Sequence, residues 1–175
     1  MSNQLQDHKL DSVKMPFHNC FLFALLFIIC LAGVHMDYKL YCFKFTWLGV
    51  NSNHETATKV NCSSKDYKGV PCIYPIIAGD DVVVEHSGSP NMYKLWEDYK
   101  DNPSEIGCLW TVGYTCLKYT YLFNNAIVNT TYFCGKMIED EKTAITSGCY
   151  QQEKNGHTIE ACACQSYRPE IPCNT

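Results

Sequence analysis

The chain has 175 residues, of which 46% are apolar and 18% charged, with twelve cysteines and a formal charge of −4. That length gives room for one domain with a tail. The acidic balance excludes nucleic acid, which needs a basic stripe, and no polybasic segment is present to draw the chain to anionic lipid.

The first element is an export leader, residues 1–36. Cys20 to Val34 is an uncharged run, with Lys9 and Lys14 upstream and small Ala32 and Gly33 at its far end. This is the layout of a secretory signal peptide, with cleavage expected between Gly33 and Asp37. The run falls short of the roughly 20 residues a membrane span needs. The alternative is an uncleaved signal anchor, a type II arrangement with the rest of the chain outside the cytosol. Either way the cysteine-rich part, 37–175, meets an oxidising compartment. Losing Cys20 and Cys30 leaves an even number, which predicts a disulfide framework. Counting alone does not choose among the pairings. Paired C-x2-C ligands of the zinc type do not occur, so no metal or other cofactor is expected. The chain also shows no apolar C-terminal tail for a glycosylphosphatidylinositol anchor.

Asp37 to Val50 is rich in aromatic residues and reads as a first strand ending at Gly49, with a turn over Asn51 to Asn53. Cys62 and Cys72 bracket a polar loop they could close as a local bridge; otherwise each pairs elsewhere. In the long interval 73–107, Asp81 to His86 (DVVVEH) reads as a strand. Ser89-Pro90 then reads as a helix start, a cap followed by proline. Met92, Leu95, Trp96 and Tyr99 fall on one helical stripe, read as core packing, and Asn102-Pro103 stops the helix.

The clearest signal lies between Cys116 and Cys134. Leu117, Tyr119 and Tyr121 alternate with Lys118, Thr120 and Leu122 at the period of a strand. Asn124-Asn125 tolerates the left-handed backbone of a tight turn, and Val128 to Phe133 forms a β-rich return. Lys136 to Ser147 is polar, with three acids in a row, and reads as a solvated loop. Asn129-Thr130-Thr131 and Asn61-Cys62-Ser63 are glycan acceptor patterns. In the second, bridge formation by Cys62 competes with glycan transfer.

The order C-x7-C, hairpin, C, Gly148-Cys149, Cys162-x-Cys164 and the closing Cys173-Asn174 resembles the three-finger domain of the lymphocyte-antigen/urokinase-receptor family, with Leu40-Tyr41-Cys42-Phe43 similar to its first strand. The resemblance implies a small all-β, disulfide-rich antiparallel sheet, here with one short inserted helix in 73–107. It also implies the pairs Cys42–Cys116, Cys62–Cys72, Cys108–Cys134, Cys149–Cys162 and Cys164–Cys173. The chain departs from the family in its first finger, where Phe45 stands at the usual position of the second cysteine. Cross-links rather than a large apolar interior are expected to hold the shape.

The resemblance implies a secreted, non-enzymatic module that binds or modulates a membrane receptor, channel or other extracellular protein. The candidate contact is the central fingertip, Phe123, Asn124, Asn125 and Ala126, with Tyr119 and Tyr121 behind it. The alternatives are a structural or matrix component, an inhibitor, or a small secreted hydrolase. For the hydrolase no nucleophile motif is present, and the adjacent acid–histidine pair Glu85-His86 is the candidate considered.

Overall fold

The computed structural model describes Tyr38–Thr175 except Pro169; the expected leader, 1–36, lies outside the described residues. The described chain is mostly β-structure with five disulfides.

The expected first strand is two strands. β1 (Tyr41–Phe43) pairs antiparallel with β4 (Gly107–Leu109), whereas β2 (Phe45–Trp47) joins a different sheet. Lys44 is the pivot: its N–H still donates to the Ile106 carbonyl at 2.6 Å, in the β1–β4 register, before β2 takes up other partners. The Asn51–Asn53 turn then leads into a helix the sequence reading lacks, α1 (His54–Lys59). Asn53 caps it, its Oδ1 accepting from Thr56 N at 2.9 Å, which satisfies one of the free donors of a helix start. Among the described residues the inserted helix is therefore one of two α-helices.

β2 also pairs with β3 (Ile76–Ile77), and this pair is parallel, so the main sheet is mixed rather than purely antiparallel. Its order is β3-β2-β6-β5-β10-β9, with β5 (Thr115–Phe123), β6 (Ala126–Gly135), β9 (Gly148–Lys154) and β10 (His157–Cys164). The two-residue turn between β5 and β6 has φ of 49° at Asn124 and 60° at Asn125, as the twist of a two-residue hairpin requires.

Asp81 to His86 is not a strand. Its Val82 and Val84 pack inward, but the segment makes a single bridge, Val84 to Pro90. The bonds that flank it come from Glu85 N–H, to the Ser89 carbonyl, and Asn91 N–H, to the Val83 carbonyl. The turn at Gly88 on one side and the start of the helix on the other leave no room to extend it. Pro90 is thus committed to the bridge, and the helix cap moves from Ser89 to Asn91, whose Oδ1 accepts from Lys94 N at 2.8 Å. The helix itself, α2 (Met92–Tyr99), buries Met92, Leu95 and Trp96 as the stripe predicts.

Lys136 to Ser147 is not an irregular loop either. β7 (Met137–Glu139) and β8 (Thr143–Ile145) form a hairpin whose turn holds Asp140 and Glu141 at positive φ. Met137 and Ile145 pack with Leu117, Phe133 and Ala163 into a small second core.

The main core revises the expectation that cross-links substitute for an apolar interior. Phe43, Phe45, Trp47, Ile77, Met92, Leu95, Trp96, Ile106 and Tyr132 are all buried together. Phe43 meets Trp96 edge-on at 5.5 Å and Phe45 lies 4.6 Å from Tyr132. The interval 73–107 supplies half of this cluster. Burial of each such side chain contributes about 1.5–3 kcal/mol, so the core and the bridges stabilise together.

The bridges join Cys42–Cys116, Cys62–Cys72, Cys108–Cys134, Cys149–Cys162 and Cys164–Cys173, the same pairs the resemblance implies. Four of these cysteines show why order matters more than proximity in the ladder. Cys42 lies opposite Cys108, and Cys116 opposite Cys134. The bonds run the other way, from each sheet to the other, and so lock β1 and β4 onto the main sheet.

Candidate interaction surface

The side chains of β5 divide by parity. Lys118 and Thr120 face the main core. Lys118 donates to the Thr175 carbonyl at 2.9 Å and lies 6.0 Å from the Tyr132 ring. Burial pushes its ammonium pKa down, and the charge of Glu160 pushes back. Burial alone pushes the Tyr132 phenol far up.

Tyr119, Tyr121 and Phe123 occupy the opposite face. Tyr119 and Tyr121 stack at 6.1 Å between ring centroids. Partial burial, then the neighbouring Tyr121, raise the Tyr119 phenol. Phe123 is 48% exposed at the end of the strand. The register places His157 directly opposite Phe123 and Ile159 opposite Tyr121. His157 fills the gap in the row, 5.5 Å from Tyr121 and 5.1 Å from Phe123. One continuous aromatic row, Tyr119–Tyr121–His157–Phe123, thus crosses from the β5–β6 hairpin to β10.

The tip residues Asn124, Asn125 and Ala126 are exposed, and Ala126 pairs with Phe123. On the other side of this tip, the loop after β2 closes in. Gly49, next to Val50, sits so near β6 that a Cβ there would be 3.0 Å from the Ile127 carbonyl oxygen and 3.2 Å from that of Val128. Both valines are exposed. His157, Val50 and Val128 are the surface residues sequence reading lacks. Strand parity in HTIEACAC could have flagged His157, but only with the register in hand.

The remaining candidates lie elsewhere. Asn61 is exposed, and its Oδ1 accepts from Ser63 N at 3.0 Å. Asn129 is half-buried opposite Tyr121, beside a β-bulge, with Oδ1 shielded from solvent and unpaired. Glu85 and His86 are exposed in the turn that precedes α2. The Sγ atoms of Cys116, Cys164 and Cys173 lie within 4.8 Å of one another. Each is already in a disulfide, and metal ligation requires the thiolate.

No family model, curated protein or solved structure matches this chain. Fold and bridges define its class as a small, disulfide-rich all-β domain. Five disulfides mark a domain matured outside the reducing cytosol. Among the described residues no helix is long and apolar enough to cross a membrane.

Proposed function

We propose that this chain is a secreted, non-enzymatic interaction module of three-finger type, which binds a membrane receptor, channel or other extracellular protein through its central tip. The observation that carries this reading is the aromatic row Tyr119–Tyr121–His157–Phe123, ending at the exposed Phe123 of the tip. Exposed aromatics on rigid strands lose little side-chain entropy on binding and often dominate contact energy. The leader directs export, and the membrane enters only if that leader is retained as an anchor. Asn61 and Asn129 are the glycan acceptors of this secreted form.

The test is saturable, glycan-independent binding of the purified protein to cell surfaces. Replacing Phe123 to Ala126 by Gly-Ser abolishes it on this reading. Unchanged binding by a correctly folded variant overturns the assignment of the tip.

A structural or inhibitory role is the second reading, and one observation favours it. β9 forms an outer edge of the sheet with all seven residues exposed, and its unpaired backbone groups can take another strand.

A further inference from the structure

Asn155-Gly156 is the one Asn-Gly dipeptide in the chain, and it forms the turn between β9 and β10. Both residues are exposed and both have left-handed backbones, with φ of 54° and 77°. The Asn155 carboxamide holds no hydrogen bond among the described residues. Nothing lies within 4 Å of where a Gly156 Cβ would be, so the peptide can turn without meeting a neighbour. The backbone carbonyl of Asn155 is 3.2 Å from His157 Nδ1. The His157 ring is itself held against Tyr121 and Phe123.

We propose that Asn155 is a site of spontaneous modification, an intramolecular deamidation assisted by His157. The Gly156 nitrogen loses its proton and attacks the Asn155 side-chain carbonyl carbon. The new C–N bond closes a five-membered imide, and the bond to Nδ2 breaks. Ammonia leaves, carrying the proton. Water then opens the ring at either carbonyl, giving aspartate or its β-linked isomer.

Glycine is needed at the second position because a Cβ there would obstruct the attack. The slow requirement is the deprotonated amide nitrogen, whose charge spreads onto the Asn155 carbonyl oxygen. A His157 Nδ1–H directed at that oxygen stabilises this anion, as a charge-assisted hydrogen bond does. The product carries a new negative charge at this turn, one or two residues from the aromatic row, whatever that row binds.

The experiment ages the purified full chain at physiological pH and body temperature, then maps peptides by mass spectrometry that distinguishes the two aspartate isomers. Asn124 and Asn125 are internal controls, since they share the left-handed turn geometry but precede Asn and Ala. Asn155 converts at least about tenfold faster than either on the steric argument. His157→Phe keeps a ring beside Phe123 but removes the donor, and slows conversion about three- to tenfold, the worth of one hydrogen bond. His157→Gln, which keeps a side-chain N–H, restores part of the rate. Equal rates at the three asparagines overturn the site. A His157→Phe effect that is absent, or equally large in the reduced and denatured chain, overturns the role of His157.

Discussion

Asn174 and Phe43, 131 residues apart, are joined by a reciprocal pair of hydrogen bonds. Phe43 N–H donates to Asn174 Oδ1 at 2.9 Å, and Asn174 Nδ2 donates to the Phe43 carbonyl at 3.2 Å. The same Nδ2 also donates to the Leu117 carbonyl at 2.9 Å. One buried carboxamide therefore serves β1 and β5 together, beside the bridge that Cys42 and Cys116 make between those strands.

Removing that side chain leaves buried backbone groups without partners. Asn174→Ala is expected to destabilise the domain by about 1–3 kcal/mol, the cost of an unsatisfied buried group. Asn174→Asp is expected to cost more. An ionised carboxylate has no donor for the two carbonyls and is itself buried. Denaturant unfolding of the oxidised proteins checks the order; a variant as stable as the parent shows that the carboxamide is dispensable.

The β5–β6 hairpin was legible because its determinants are local, whereas the cysteine pairing was reached only as what the family resemblance implies. Alternation and an Asn-Asn turn require no knowledge of neighbours. Val82 to Val84 misled because a strand needs a partner of some length, and the segment opposite has only Pro90 free between the turn at Gly88 and the helix that Asn91 caps. Lys136 to Ser147 misled in the other direction, its acids masking Met137 and Ile145, which reach the second core. The first strand could not be divided at Lys44 from sequence, because what divides it is the presence of two different partner strands. His157 was invisible for the same reason: its place in the aromatic row depends on the β5–β10 register.

A buried phenol and a half-buried ammonium give the alkaline range opposed slopes. Burial raises the Tyr132 phenol, so the fold keeps its proton while the unfolded chain ionises near pH 10. Its contribution is present below about pH 10 and is lost as pH rises further. Tyr119, raised in the same direction, adds to that loss. Lys118 acts the other way. Its depressed pKa means the fold releases a proton that the unfolded chain still holds, so stability rises with pH up to about 10.4. Thermal unfolding across this range should show a shallower alkaline fall in Tyr132→Phe. Lys118→Gln should remove the rise that precedes it. Profiles identical to the parent's refute both assignments.

The two glycan acceptors differ in what competes for them. Asn61 is exposed, but its neighbour Cys62 closes a bridge with Cys72 only ten residues away. If bridge formation limits glycan transfer, the paired change Cys62→Ser and Cys72→Ser raises occupancy at Asn61 while occupancy at Asn129 is unchanged. Intact-mass comparison of secreted protein before and after enzymatic deglycosylation measures both. Equal occupancy at Asn61 with and without the bridge removes the competition.

The aromatic row predicts a graded loss of binding along its length. Phe123 is the most exposed of its tyrosine and phenylalanine rings, and it stands at the tip. Tyr119 and Tyr121 lie further back and are half-buried against their own sheet. A partner approaching the tip therefore covers Phe123 first. Phe123→Ala should weaken cell-surface binding by about tenfold or more, the scale of a hot-spot truncation. Tyr121→Ala should cost less and Tyr119→Ala least, with all three proteins retaining their five bridges. Val50→Ser should add a smaller loss if the partner also reaches across to the neighbouring loop. A reversed order, with Tyr119 dominant, would move the contact from the tip to the open face of the sheet.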